Sequence, residues 1–320
     1  MFPVNPLKLN ERAWELAWDM GVNSTVFKVA PSTGSLNWID CGVGANRCAG
    51  GLGAGTQLAD ICLAGLGFAG IRPLVRDGWS GPCVYVQSDH PVAACLASQY
   101  AGWQLKGEKF FAMGSGPMRA AANREPIFAD IGYHETAERV VGVLESNQVP
   151  PTEIFEQIAA ACKVTPENVL LLGARTASLA GTIQVVARSL ETALHKLHAL
   201  KFDLSTILSG FGVAPLAPIA KDDLTAIGWT NDAVLYGGEV TIWVNTDDDV
   251  ISTIGPQVPS SASPDFGEPF GEIFNRYGGD FYKIDPLLFS PAVVTFVNLK
   301  SGRTHRFGKL RYDVLQHWSS

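Results

Sequence analysis

With 320 residues, the chain is large for a single hydrophobic core and fits two modest domains or one elaborate one. A hydrophobic fraction of 47% against 17% charged residues describes a well-packed globular protein and excludes a disordered one. The net charge of −7 leaves no basic stripe to displace phosphate counterions, which argues against a nucleic-acid partner; a small anion still fits wherever Arg and Lys cluster locally.

No apolar run reaches membrane-spanning length, and the start Met1-Phe-Pro-Val-Asn shows no charged leader before an apolar segment. A cytoplasmic protein with no membrane partner is therefore expected. Cys41, Cys48, Cys62, Cys83, Cys95 and Cys162 form no Cys-x-x-Cys pair. That pattern speaks against zinc or a disulfide framework and for buried free thiols.

Asn10 to Met20 has helical spacing (Ala13, Leu16, Ala17, Met20), and strands are predicted at Val22 to Val29 and Leu36 to Cys41 around Pro31-Ser-Thr-Gly34. Gly50-Gly-Leu-Gly-Ala-Gly55 leads into a helix over Thr56 to Gly67, packed closely through small residues. A strand follows at Pro82 to Gln87. Asp89-His90-Pro91 then forms an N-cap or Asx turn before a helical Val92 to Gln104. Lys109 to Met113 reads as a strand that enters Gly114-Ser-Gly-Pro117, with a short helix over Met118 to Ala122. Composition turns polar at Asn123-Arg-Glu-Pro126, which divides the chain into subdomains 1–124 and 125–320.

Beyond that boundary, strands at Arg139 to Leu144 and Asn168 to Gly173 flank a helix over Thr152 to Cys162. The unit leads into the stretch around which the chain is organised, a predicted helix over 177–200. Leu179, Ile183, Val186, Leu190, Leu194 and Leu197 form its apolar face, and Gln184, Arg188, Glu191 and His195 form a polar row beside it. Thr176 or Ser178 supplies the N-cap oxygen, and Arg188 and Glu191 stand close enough to touch. Later come the Ala/Pro-rich Gly212-Val-Ala-Pro-Leu-Ala-Pro218, strands at Ala233 to Leu235 and Glu239 to Val244, and a helix at Pro269 to Tyr277. The last element is an antiparallel pair, Ala292 to Leu299 and Thr304 to Phe307, turning through Lys300-Ser-Gly302.

Taken alone, an Arg/Glu pair on a polar helix face is a solvated ion pair worth a few tenths of a kcal/mol, on the order of 0.3. Gly65-Leu-Gly-Phe-Ala-Gly70 matches a dinucleotide fingerprint in letters only, since it follows a helix and Pro73 blocks a helix after it. Gly114-Ser115-Gly116 is better placed for backbone amides to meet an anion or a heterocycle edge, although such a turn is ordinarily just a turn. Asp89-His90 suits an acid–base or metal pair but is ordinarily structural, Asp247-Asp-Asp249 reads as a solvated loop, and His195 either titrates usefully near neutrality or, more often for such a residue, is a hydrogen-bonded surface histidine.

Several collinear stretches change this balance. Ile39-Asp-Cys-Gly-Val43, Ser88-Asp-His-Pro91 with Ala101-Gly-Trp103, and Phe111-Ala-Met-Gly-Ser-Gly-Pro117 are followed by Thr176-Ala-Ser178 and Arg188-Ser-Leu-Glu-Thr192. Further along stand Ala214-Pro-Leu-Ala-Pro218, Thr230-Asn-Asp232, Leu235-Tyr-Gly-Gly238, Pro259-Ser-Ser261, Gly267-Glu-Pro-Phe270 and Asp280-Phe-Tyr-Lys-Ile-Asp-Pro286. Together the chain resembles the methenyltetrahydromethanopterin cyclohydrolases from about residue 39 to 310.

The resemblance implies a mixed α/β (α+β) fold, two α/β subdomains with a pocket between them, and a homotrimer. It also implies reversible hydration of an N5,N10-methenyl pterin to its N5-formyl form, with the tetrahydromethanopterin derivative as substrate and no nicotinamide, flavin or metal required. On this resemblance Glu191 is the general base and then acid, Arg188 supports it, and Tyr100 stands where the family often carries a lysine; Lys106 is the nearest cation downstream. The remaining binding candidates are Asp89, His90, Gly114, Ser115, Gly116, Thr176, Ser178 and Gln184. Trp229, where archaeal members tend to have Arg, together with the modest charge content points to a mesophilic bacterial member working in formaldehyde oxidation. Two other classes compete. Tyr100 in place of lysine suits a non-catalytic pterin carrier, and Gly114-Ser-Gly116 suits a nucleotide-dependent transferase.

Overall fold

A computed structural model of the chain describes residues 7–44, 48–76, 78–280 and 283–319. The opening Met1-Phe-Pro-Val-Asn and the Phe-Tyr of Asp280-Phe-Tyr-Lys lie outside the described residues. In chain order the strands are β1 (Ala30–Pro31), β2 (Asn37–Asp40), β3 (Gly67–Arg76), β4 (Trp79–Ser88), β5 (Trp103–Lys106) and β6 (Phe111–Ser115). They continue as β7 (Val140–Glu145), β8 (Val169–Ala174), β9 (Ile207–Pro215), β10 (Glu239–Val244), β11 (Val293–Asn298) and β12 (Thr304–Gly308).

These strands form two mixed six-stranded sheets, ordered β1-β2-β8-β7-β6-β5 and β12-β11-β10-β9-β4-β3, so the fold is α+β. In the first, β2, β8 and β7 run parallel; in the second, β10 and β11 do. All six residues of β8 are buried, as expected of a parallel strand covered on both faces, whereas β10 alternates between half-buried and buried positions.

The helices are α1 (Leu9–Val22), α2 (Ser24–Phe27), α3 (Leu52–Cys62), α4 (Met118–Ala122), α5 (Ile127–Ile131) and α6 (Thr152–Cys162). After them come α7 (Leu179–Val186), α8 (Ser189–Ala199), α9 (Asp223–Gly237), α10 (Asp248–Ile254) and α11 (Phe270–Arg276). A π-helix spans Val92–Gln99. Leu58 and Ile61 of α3 pack with Val141, Val143, Leu170 and Leu172 of the first sheet. Leu190 and Leu194 of α8, with Ala94 to Ala97 of the π-helix, pack against Val86, Val240 and Ile242 of the second. A helical layer is thus held between the sheets. Gly210 and Gly212 let α8 approach closely, because a Cβ on either would meet Leu190 or Ser189 within 2.6 Å.

Several expected elements differ. The helix over 177–200 is two helices, α7 and α8, broken at Ala187–Arg188. The strand at Val22 to Val29 is helical instead, with Val22 and Val26 left exposed, so its β-branched residues had no sheet face to bury. Ala233 to Leu235 lies inside α9, whose start is fixed by the Asp222 side chain accepting from the Thr225 amide at 2.9 Å. The helix at Val92 to Gln104 ends at Gln99 and gives way to β5. Asp247 to Asp249 is no solvated loop: it opens α10, and Asp248 accepts from Asn298 and Ser301 and bonds His305, contacts that pull its carboxyl down to about 2.

The division of the sheets does not follow chain order. Residues 124 and 125 fall between β6 and β7, which pair in one sheet, while the β3–β4 hairpin joins strands that come after residue 206.

Close approach of α3 to α7 depends on Gly55, where a Cβ would stand 2.7 Å from Ile183 Cβ. Gly55→Ala is expected to lower stability by about 1–3 kcal/mol through overpacking, read as a fall in the thermal midpoint.

Candidate active site

The break between α7 and α8 arises because the Arg188 amide bonds back only three residues, to the Val185 carbonyl at 3.0 Å. Regular α-bonding resumes from the Arg188 carbonyl, which accepts from Thr192 at 2.9 Å. The buried Ala187 carbonyl accepts from Gln99 Nε2 at 3.3 Å. Gln99 closes the π-helix, where Tyr100 donates to Cys95 O at 2.8 Å. Its own carbonyl accepts from Arg188 Nη1 at 2.6 Å. Arg188 Nη2 donates to Ser115 Oγ at 3.2 Å and to Gln184 Oε1 at 3.1 Å. One buried guanidinium therefore ties together α7, α8, the π-helix and the end of β6.

Arg188 and Glu191 do not form the expected contact pair among the described residues. Arg188 is the cap of α8, outside the helix proper, and its donors are turned to Gln99, Ser115 and Gln184. Its influence on Glu191 acts through space.

Glu191, in the first turn of α8, is only 4% exposed. Burial raises its carboxyl from 4.5 to about 7, with Arg188 and then Arg119 pulling the other way. Two buried polar atoms, Gln99 Oε1 on the π-helix and Ser189 Oγ next to Arg188 in sequence, make no hydrogen bond among the described residues. Such atoms are rare in a folded protein and offer places for a water or a ligand.

Tyr100 stacks on His195 with centroids 4.6 Å apart and planes 18° from parallel. The Arg119 guanidinium lies 5.0 Å from the Tyr100 centroid. Arg119 is wholly buried; it holds Glu125 through two hydrogen bonds, at 2.8 and 2.6 Å, and donates to the carbonyls of Leu96 and Ser98. His195 is therefore no surface histidine: burial, then His198 and Arg119, lower its pKa to about 4 and keep it neutral.

Of the binding candidates, Ser115 and Gln184 contact Arg188, whereas the others have separate employments. Gly116 takes a left-handed φ of +92° and its amide bonds Ser98 O at 2.9 Å; Gly114 lies in β6, where a Cβ would collide with Met118. Thr176 donates to Glu145, and Ser178 caps α7 through the Gly181 amide at 3.1 Å. Asp89 accepts from Ser209 Oγ at 2.8 Å instead of capping the following helix. Asp89 and His90 line an open cleft of 590 Å³ with His198 and Lys201, and that cleft does not include Glu191. Lys106 is exposed on β5, so Tyr100, not Lys106, belongs to the buried cluster.

Gln99 and Arg119 escaped the sequence reading. The usable signal for Arg119 was a lone charge in the otherwise small and apolar Met118–Ala122, which calls for a buried partner. Gln99 had no comparable signal, since its role depends on a carbonyl freed by a distant helix break.

The chain matches the family model described as Cyclohydrolase (MCH) over residues 8–318. A protein of Xanthobacter autotrophicus is 49% identical over 270 residues, covering 84% of this chain and 79% of the relative. One from Rhodopirellula baltica is 47% identical over 283 residues, covering 87% and 84% respectively. A Methanosarcina barkeri protein is 39% identical over 318 residues, covering 98% of this chain and 97% of the relative. All three are named methenyltetrahydromethanopterin cyclohydrolase.

A carboxyl raised from 4.5 to about 7 binds its proton more tightly in the folded state, so its contribution to stability is full below pH 4.5 and is lost as pH rises through about 7. Glu191→Gln should therefore gain on the parent by about 3 kcal/mol between pH 4 and pH 8. Denaturant unfolding of both proteins at the two pH values measures the difference, and a constant gap would mean that the carboxyl titrates normally.

Proposed function

Because this chain belongs to the methenyltetrahydromethanopterin cyclohydrolase family and is a hydrolase, we propose that it hydrates the N5,N10-methenyl pterin at Glu191. The observation that carries this reading is a buried carboxylate with a pKa near 7, beside a guanidinium that is committed elsewhere. The methenyl carbon lies between two nitrogens in an amidinium-like cation and is electrophilic without further activation. Water, with a bulk pKa of about 15.7, is the weak partner and needs a base as its oxygen bonds to carbon.

Glu191 takes the first proton of that water as the C–O bond forms. It returns the proton to N10 as the C–N10 bond breaks and the formyl C=O forms. The second water proton, leaving the hydroxyl, passes to the carboxylate and then to solvent, which balances the reaction at one proton released. A pKa near neutrality suits a group that must both accept and donate. Arg188 orients the site and holds the carboxyl below the value burial alone would impose. Gln184 and Ser115 fix Arg188 in turn. Tyr100 supplies an aromatic surface and a hydroxyl in place of a fixed charge.

Glu191→Gln is expected to reduce hydration by about 10²–10⁴-fold while leaving the fold intact, followed by loss of the methenyl ultraviolet band. In the parent, hydration should fall about tenfold per pH unit below about 7 as Glu191 takes up its proton. Full activity in the Gln variant would remove Glu191 from the reaction.

The same reading extends to a cytoplasmic homotrimer working in bacterial formaldehyde oxidation. Support for association comes from β3, an edge strand with Phe68 and Val75 exposed. Support for the role is the modest 17% charge content and Trp229. Sedimentation equilibrium should give three subunit masses, and a deletion strain should be formaldehyde-sensitive; a monomer or an indifferent strain would refute the respective part.

A further inference from the structure

We propose that His195 is a positioning residue, whose ring stacks on Tyr100 to hold the tyrosine as an aromatic wall against α8, at the turn between Glu191 and His198. The inference rests on the reading of Glu191 given above. Glu191, His195 and His198 follow one another at spacings of four and three, so they descend one face of α8 turn by turn. At one end Glu191 is buried; at the other His198 lines the 590 Å³ cleft and bonds Asp130 at 2.7 Å. His195 lies between them, 6.5 Å from the His198 ring and 4.6 Å from Tyr100.

The chemistry of the wall follows from its members. Two near-parallel rings at that separation make an offset stack, which restricts the tyrosine ring to one plane. Arg119 reinforces it from its own clamp on Glu125, with the guanidinium charge already met by that carboxylate. Burial, His198 and Arg119 all disfavour an imidazolium at His195, so the stack keeps one protonation state across the pH range in which Glu191 titrates. The His195 ring and the Arg119 guanidinium both lie against the Tyr100 ring, so the tyrosine keeps one orientation.

The test compares the parent with His195→Ala and His195→Phe, each checked for an unchanged thermal midpoint. The Ala variant should lose about five- to tenfold in kcat/KM, carried mainly by KM, and the Phe variant should recover most of that loss. The acid limb of the rate profile should stay near the Glu191 pKa in all three. Independently of turnover, nitration of Tyr100 by tetranitromethane, located by peptide mass spectrometry, should speed up in the Ala variant and stay slow in the Phe variant. An Ala variant with parental KM and nitration rate, or a Phe variant no better than Ala, would overturn the proposal. Absence of turnover in the parent would instead overturn the assignment of Glu191's reaction, leaving the nitration comparison to decide the stack.

Discussion

A guanidinium set into a break between two helices is the constraint on which the centre of this protein depends. Arg188 holds its i−4 neighbour Gln184 as a helical side chain would, and adds Gln99 and Ser115 from two other elements. The break turns its residue into the cap of α8. It also makes the next residues the start of a new helix, so Glu191 sits at the positive end of the α8 dipole. On the other side, the π-helix frees the Gln99 carbonyl and turns its amide toward Ala187. Two local departures from α-geometry are thus matched to each other, which is why neither needs an unusual residue to sustain it.

Much of the frame was legible from the sequence because local signals and tertiary packing agree there. The helix Thr152–Cys162 was placed to the residue, since Pro151 precedes its first turn and a clean apolar stripe of Ile154, Phe155, Ile158 and Ala159 follows. Strand β10 and the closing β11–β12 pair were equally plain, from alternation and a Lys-Ser-Gly turn. The break at Arg188 was not legible. A single tight turn shifts the helical phase too little to disturb the spacing of Ile183, Val186, Leu190 and Leu194, which remain buried on both sides of it. Ala233 to Leu235 failed for a different reason: three apolar residues fit either period, and only the cap at Asp222 decides.

Of the polar row, spacing gives the Gln184–Arg188 contact but neither the helix break that keeps Arg188 off Glu191 nor the surroundings of the row. Spacing placed Gln184, Arg188, Glu191 and His195 together, but nothing in the letters says that the row faces a layer between two sheets instead of water. What distinguishes the alternatives is the partner each residue meets: Gln99 from the π-helix, Ser115 from β6, and Tyr100 beside Arg119. Each comes from more than seventy residues away in the chain, beyond the reach of any local pattern.

The site is also costly in a way that marks it out. Among the described residues, a carboxylate buried without an ion pair in contact, a histidine kept neutral, and two polar atoms without hydrogen bonds are features that selection for stability alone would remove. An apolar residue at position 191 would fill the same helix face without the desolvation that raises the carboxyl. An ion pair between Arg188 and Glu191 would likewise satisfy both charges and would pull the carboxyl down. The arrangement keeps the guanidinium near enough to temper the carboxyl and too occupied to neutralise it. Burial raises the Glu191 carboxyl, and Arg188, held by the Gln99 carbonyl on one side and Gln184 on the other, pulls against that rise, leaving it at about 7.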